Sequence, residues 1–311
     1  MRSHRILAAM ATLATIGLTA SALSACGTSE PDAVDRDLAN GDDPAVIKIG
    51  TTDSHQQAWS VFQDLAAQQG ITLTIVHFSS YGEINDSLAQ GGLDVNKFQH
   101  IMHLAEYNKK AGQRLGIVGS GEVFPLALFW KDHASLDSIE GEKIRIPNDP
   151  ANLGRALNML AQAGLITLQD GVGNTPLATL ADIDTAASKV AVTAIDAAQT
   201  LAAYDEGHPA VINNNWLERA GIDPSLAVFE DDPLADSAEP YINIFAAREA
   251  DIADETLNQL VDIWHDPAVT AALEHDSKGT AVQVRRSQAE LNTVLDTLES
   301  LSAEPRKHTS P

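Results

Sequence analysis

Residues 146–157, Ile-Pro-Asn-Asp-Pro-Ala-Asn-Leu-Gly-Arg-Ala-Leu, join a strand pattern to a helix pattern. Isoleucines alternate just before the stretch and leucines recur at helical spacing after it, so we predict strand, loop and helix. Asp149 can cap the helix by accepting a hydrogen bond from an early backbone N–H, and Pro150 suits the first helical position. The free N–H groups and the positive end of the helix dipole favour an anion here.

Arg155 is the basic residue of the same stretch. Side chains of a helix lean toward its N-terminus, so the guanidinium can reach the predicted anion site. A carboxylate is the natural ligand, because the guanidinium fork can bind it through two parallel hydrogen bonds. The alternative from these residues alone is a capped surface helix with a solvated arginine.

The first 25 residues have the pattern of a secretory signal, in which basic residues precede an uncharged run and a small-residue cleavage site. The site ends at Cys26 and resembles a bacterial lipobox. We therefore expect a lipid on Cys26 that holds the protein on the extracytoplasmic face of the cell membrane. An uncleaved anchor helix is the alternative, but the apolar run is short for a membrane span. Cys26 is the only cysteine, which excludes internal disulfides.

The whole chain has 311 residues that are 44% hydrophobic, which is enough for one large or two medium globular domains. Its formal charge of −23 disfavours nucleic acid as a partner. Residues 26–45 have the composition of a disordered tether, and residues 304–311 that of a frayed tail.

Strand and helix patterns alternate from residue 46, which favours a parallel sheet and an α/β fold. Residues 123–129 form an extended run that contains Pro125, so we place it at a sheet edge or a crossing between domains. We predict domain I from residues 46–125 and 244–303, and domain II from residues 126–243. An extended segment at 240–246 returns the chain to domain I. Two crossings make a hinge, and the cleft beside a hinge is a common ligand site.

Polar and aromatic residues fall at the ends of the predicted strands or in adjoining loops. Ligands bind at the carboxyl ends of parallel strands, so these side chains should face the cleft. An arginine with two amides can hold the carboxylate and ammonium of an amino acid, and aromatic rings can enclose an apolar side chain. Taken singly, each residue could instead cap a loop or pack in the core. The candidates are Tyr81, Phe98, His100, His103, Arg155, Asn213 and Asn243.

Signatures of common enzyme classes, such as a glycine-rich phosphate loop, a Gly-x-Ser-x-Gly elbow or a His-Glu-x-x-His helix, do not occur in the sequence. His100 and His103 could share a helix face, but no acidic or cysteine partner lies at zinc-site spacing. We therefore expect a binding protein with no metal and no cofactor.

Six segments resemble, in order, the methionine-binding lipoproteins of the NlpA type, which are substrate-binding components of methionine ABC importers. The segments are residues 78–81, 94–100, 123–126, 146–157, 210–213 and 240–243. The resemblance implies an α/β fold of the periplasmic-binding-protein-like type II, with two α/β domains joined by a two-crossing hinge. It also implies closure on L-methionine or a related amino acid and delivery to an ABC permease with its ATPase.

The resemblance assigns roles to single residues by position. It implies that Arg155 binds the ligand carboxylate and that Asn213 and Asn243 help to hold the amino-acid end. It implies that the pocket is lined by Tyr81, Phe98 and His100.

Departures from the family pattern leave the exact ligand open. His103 stands where the family usually has an aromatic residue, so this wall of the pocket is more polar. Residues 51–55 form a shorter loop than the family's, Trp216 replaces a tyrosine, and residues 287–301 extend past the family's usual end. We expect His103 and the pair Ser54-His55 to read the ligand's side chain. D-Methionine, a sulfoxide, a methionyl peptide or another amino acid are alternative ligands, and a scaffold or partner-binding lipoprotein is the alternative function.

Overall fold

Two five-stranded sheets with helices packed on them form the framework of the protein. The computed structural model describes residues 45–112 and 114–303, which belong to one compact unit, Gly41–Pro311. The strands are β1 (Ala45–Thr51), β2 (Ile71–His77), β3 (Val95–His100), β4 (Leu115–Ser120), β5 (Glu122–Val123), β6 (Ala127–Phe129), β7 (Lys143–Pro147), β8 (Thr167–Leu168), β9 (Ile183–Asp184), β10 (Ala191–Ile195), β11 (Ala210–Ile212), β12 (Ala227–Glu230), β13 (Asn243–Arg248) and β14 (Val282–Gln283).

Helices separate most of these strands, as an α/β fold requires. The α-helices are α1 (Gln57–Gln68), α2 (Ile84–Ala89), α3 (Ile101–Ala111), α4 (Pro150–Gln162), α5 (Thr200–Asp205), α6 (Asn214–Ala220), α7 (Glu255–Trp264), α8 (Pro267–Asp276) and α9 (Gln288–Ala303). Short 3-10 helices cover Leu180–Asp182, Ala197–Gln199, Pro224–Leu226, Asp236–Tyr241 and Glu249–Asp251.

The first sheet has the strand order β2-β1-β3-β13-β4. As predicted, β1 runs parallel to β2 and β3, whereas β13 is antiparallel to both β3 and β4. Asn243, the first residue of β13, therefore pairs with His100, the last residue of β3. One edge of this sheet thus presents the carboxyl end of β3 together with the amino end of β13.

The second sheet has the strand order β10-β7-β11-β6-β12. β7 is parallel to β10 and β11, and β6 is antiparallel to β11 and β12. The predicted extended run at 123–129 is divided, because Pro125 lies in a loop between β5 and β6. Of the two placements predicted for the run, the sheet edge is wrong for β6, which has a neighbour on each side, whereas residues 123–126 lie where the chain passes between the two sheets. Pro240 and Tyr241 lie in a 3-10 helix, so the extended segment predicted from residue 240 begins only at Asn243.

Apolar residues cover both faces of the first sheet. On one face, Trp59, Phe62, Phe245 and Trp264 pack with ring centroids 5.0–6.3 Å apart. On the other face lies α3, against which α9 packs with buried leucines at its centre. The second sheet is enclosed in the same way by two further apolar clusters.

The chain passes between the sheets twice. Strands of the first sheet come from residues 45–120 and 243–248, and those of the second from residues 127–230. The first crossing, residues 121–126, contains β5, which pairs with β14, and the second crossing is residues 231–242. The domain boundaries given above stay a prediction.

Within residues 45–112 and 114–303, no helix has the length and apolar character of a membrane span. The predicted signal, Cys26 and the tail lie outside the described residues, as does the predicted tether except for Ala45, which begins β1.

Candidate ligand-binding site

A cavity lies where the edges of the two sheets face each other. Each of the residues predicted to bind a ligand lines it: Tyr81, Phe98, His100, His103, Arg155, Asn213 and Asn243. The same walls contain Asn152 and Tyr241, which sequence reasoning missed. Ser54 and His55 do not line it, because Ser54 bonds to His77 and His55 lies 3.5 Å from Glu218. The prediction that this pair reads the ligand is therefore not supported by its position.

The start of α4 has the predicted strand, loop and helix form, with β7 leading into it. Asp149 is the N-cap and its carboxylate accepts the backbone N–H of Asn152 at 3.0 Å, while Pro150 occupies the first turn. The Asn152 side chain also donates to the Asp149 carboxylate, at 2.9 and 3.1 Å. These bonds fix the Asn152 amide so that its oxygen remains available as an acceptor.

Asn152 organises two of the predicted site residues. Its Oδ1 accepts a hydrogen bond from Nδ2 of Asn213 at 2.9 Å and lies 3.2 Å from Nε2 of His100. Since Asn152 Oδ1 is an acceptor, His100 carries its proton on Nε2. Nδ1 of His100 then accepts the backbone N–H of His103 at 3.2 Å. Burial, aided by His103 and Arg155, lowers the pKa of His100 to about 3, so this ring is neutral near pH 7.

Asn213 has donated its amide N–H to Asn152, and its Oδ1 is buried without a partner among the described residues. An unpaired buried acceptor costs about 1–3 kcal/mol. Because Asn213 lines the cavity, a donor on a bound ligand can recover this free energy. An ammonium group is such a donor.

The Arg155 guanidinium was predicted to bind a ligand carboxylate through two parallel hydrogen bonds, but in the structure it makes these bonds to a carboxylate of the protein. Its Nε and Nη2 donate in parallel to the two carboxylate oxygens of Asp231, at 2.7 and 2.9 Å. Nη2 also donates to the carbonyl of Phe124 at 2.8 Å, and the ring of Tyr241 lies 4.4 Å from Cζ. Among the described residues no hydrogen bond uses Nη1. The two-bond fork is therefore occupied by the protein, and Nη1 is the part of Arg155 that remains for a ligand.

The opposite wall of the cavity is aromatic. The ring centroids of Tyr81, Phe98 and His103 lie 5.5–5.9 Å from one another, and Trp216 packs behind Tyr81 at 5.4 Å. Burial raises the pKa of Tyr81 well above its usual range and lowers that of His103, so neither is charged near neutral pH. His103 Nδ1 lies 3.1 Å from Oε1 of Gln99, within a buried amide network. This wall suits an apolar or sulfur-containing side chain.

A metal site needs several histidine, cysteine or acidic side chains close together, and such side chains occur in the part of the chain that the structure describes. No group of three or more histidine, cysteine or acidic side chains there is arranged to hold a metal ion. The pair His100 and His103 is committed to hydrogen bonds with Asn152 and Gln99.

The family model of the NlpA lipoproteins matches residues 47–285, a range that includes every residue of this cavity. The chain belongs to the NlpA lipoprotein family. Its relatives include the D-methionine-binding lipoprotein MetQ of Escherichia coli K12, which is 32% identical over 268 residues, 84% of this chain and 93% of MetQ. Helix α9 lies beyond the matched range.

Solved structures similar to this NlpA lipoprotein share its fold. Protein PG110 of Staphylococcus aureus has a TM-score of 0.76 and 32% identity, over 81% of this chain and 99% of PG110. A nutrient-binding protein of Burkholderia cenocepacia bound to methionine has a TM-score of 0.70 and 31% identity, over 76% of this chain and 99% of its own. The fold is therefore α/β and periplasmic-binding-protein-like, with two domains joined by a hinge.

Proposed function

We propose that this protein binds methionine or a close derivative outside the cytoplasm and delivers it to an ABC permease with its ATPase. It does so by hinge closure and without covalent chemistry. The observation that carries the proposal is that one cavity is lined by Asn213, whose buried Oδ1 has no partner among the described residues, and by Arg155, whose Nη1 makes no hydrogen bond there. An α-amino acid supplies a donor, its ammonium, for Asn213 and an acceptor, its carboxylate, for Arg155. The methionine named for the relatives agrees with the aromatic wall.

In the proposed complex each end of the ligand meets a different wall. Nη1 of Arg155 donates to the carboxylate, Oδ1 of Asn213 accepts from the ammonium, and the Asn243 amide takes part at the same end. The thioether lies against Tyr81, Phe98 and His103, where sulfur and aromatic rings attract one another by about 0.3–1.5 kcal/mol.

Closure is proposed to bring domain I, residues 46–125 and 244–303, against domain II, residues 126–243. Contacts between these parts support a closed conformation: Nζ of Lys278 lies 2.7 Å from the Asp223 carboxylate, and Tyr81 donates to Asn215 at 3.4 Å. We also propose that the lipid on Cys26 holds the protein at the outer face of the cell membrane, where a permease can be reached.

Native mass spectrometry tests the proposal with the mature chain, residues 26–311, purified from membranes in detergent. We expect a co-purified small molecule with the mass of methionine. This mass should remain bound after L-methionine is added, and added L-aspartate should not displace it. Titration calorimetry with L- and D-methionine then ranks the two forms. An empty cavity together with no heat from either isomer would contradict the proposal and favour a scaffold role.

A further inference from the structure

We propose that Asp231 makes the binding site select a zwitterionic amino acid over the 2-oxo acid with the same side chain. The inference rests on the proposed function and names which form of the ligand the site accepts. It concerns a positioning residue, since Asp231 acts on the ligand through Arg155.

Asp231 is held in place from three directions. Its carboxylate takes both parallel hydrogen bonds of the Arg155 fork, and its Oδ1 also accepts the backbone N–H of Leu126 at 2.8 Å. Its own backbone N–H donates to the carbonyl of Leu126 at 3.0 Å. The two side chains are 7% and 16% exposed, so water screens the pair weakly. Arg155, which lines the cavity, is therefore held in a fixed orientation, and its Nη1 makes no hydrogen bond among the described residues.

The pairing also decides the net charge beside the ligand. Among the described residues that line the cavity, Arg155 is the one side chain charged near pH 7, since His100, His103 and the tyrosines are neutral. Asp231 cancels that charge. Asp149, another carboxylate near the cavity, caps α4, whose positive dipole end offsets part of its charge. The site thus offers a directed donor without a net positive charge.

A site without net positive charge treats the two forms of the ligand differently. The amino acid is neutral overall, so it brings no uncompensated charge out of water. The 2-oxo acid has lost the ammonium and carries one negative charge, whose burial costs free energy unless a positive charge balances it. Its carbonyl also places a second acceptor against Oδ1 of Asn213, which then stays unpaired.

The test compares two affinities in three forms of the mature chain. Calorimetry measures the dissociation constants of L-methionine and of 4-(methylsulfanyl)-2-oxobutanoate for the wild type, Asp231→Asn and Asp232→Asn. Asp232 is the matched control, because it is the next residue, is exposed and bonds to the backbone of Leu234. We expect the wild type to prefer the amino acid by at least about a hundredfold.

In Asp231→Asn the positive charge of Arg155 is uncompensated, which favours the anion. The preference for the amino acid should therefore fall by about tenfold or more, and Asp232→Asn should leave it within about twofold. A role in folding alone would weaken both ligands by the same factor, and that result would overturn the inference. Equal affinities in the wild type would overturn it too, even if Asp231→Asn failed to fold. Binding of neither ligand by the wild type would instead contradict the proposed function.

Discussion

At the scale of single residues, Arg155 and Asn213 line one cavity, and each is already bonded to another side chain of the protein, Arg155 to Asp231 and Asn213 to Asn152. Arg155 and Asn213 reach one cavity because each follows the end of a strand, a position that the patterns reveal. Asp231 and Asn152 were missed for different reasons. Asp231 follows β12, a strand that the patterns do not predict, and is 76 residues from Arg155 in the chain. Asn152 was hidden in a helix start, where an asparagine usually serves the cap.

Arg155→Ala should abolish most ligand binding and also weaken the fold. We expect the affinity for methionine to fall at least about thirtyfold, because a charged donor to the carboxylate is lost. The free energy of unfolding should fall by about 3 kcal/mol, because Asp231 loses the partner of a largely buried ion pair. Calorimetry and urea unfolding measure the two effects. Arg145→Ala is the control, since that guanidinium bonds to the carbonyl of Lys143 at the surface; an equal loss of affinity there would contradict the assignment.

His100 predicts a pH dependence of stability. Its pKa is about 3 in the folded protein and near 6.5 when unfolded, so the unfolded chain binds the extra proton between these values. Stability should therefore be fully present above about pH 6.5 and fall as the pH drops toward 3. In His100→Gln the slope of the unfolding free energy against pH should be shallower, by up to about 1.4 kcal/mol per pH unit. Urea unfolding between pH 4 and 7 measures it.

The control for that experiment is His275→Gln, because the His275 side chain is 77% exposed. This variant should keep the wild-type slope. A slope in His100→Gln as steep as that of the wild type would show that His100 is not held neutral by its surroundings.

At the scale of elements, long periodic segments are predictable and short half-buried ones are not. α1, α4, α7 and α9 bury one regular face, and the spacing of their apolar residues reveals them. β10 and β12 are only partly buried, so their alternation carries little signal. Pro240 and Tyr241 form a 3-10 turn where an extended run was predicted, and this turn brings the Tyr241 ring onto Arg155. Tertiary contact rather than local pattern decides that segment.

Helix α9 gives a prediction at this scale because it packs on α3 outside the range matched by the family model. Leu295 is fully buried at its centre, so Leu295→Ala should lower the free energy of unfolding by about 2–5 kcal/mol through the cavity it leaves. Leu301→Ala, on the same helix but 48% exposed, should change it by less than about 1 kcal/mol. Chemical unfolding measures both, and methionine affinity should stay the same in each. Similar small losses would mean that α9 is not part of the core.

At the scale of the whole molecule, side chains of the two predicted domains contact each other across the cleft, and we expect these contacts to stabilise the closed form. Asn215 lies between them, accepting from the Tyr81 hydroxyl and donating to Oγ1 of Thr52, both at 3.4 Å. That the chain crosses twice was predictable, because a second group of elements interrupts the first. Which side chains touch across the cleft was not, since those pairs are 134 and 163 residues apart and no local pattern links them.

Asn215→Ala should weaken ligand binding by favouring the open form. We expect the affinity for methionine to fall about two- to tenfold, since two hydrogen bonds of the closed form are lost. Calorimetry gives the affinity, and small-angle X-ray scattering gives the decrease in radius of gyration on adding ligand. The matched control is Asn258→Ala, at the surface of α7, where the amide bonds to local backbone carbonyls. Unchanged affinity in Asn215→Ala would argue against this contact as part of closure.

The bonds of Arg155 to Phe124 and Asp231 have a mechanical consequence. Phe124 lies in the first crossing and Asp231 begins the second. One guanidinium is therefore hydrogen-bonded to both segments that connect the two domains. A group on the axis of a rotation moves little, whereas a group far from it sweeps through a long arc. In the proposed complex the ligand's carboxylate therefore lies near the hinge, and its side chain lies farther from it. A side chain that fits poorly would keep the two domains apart while the carboxylate stays bound. We therefore expect the aromatic wall to determine which ligand side chain is accepted.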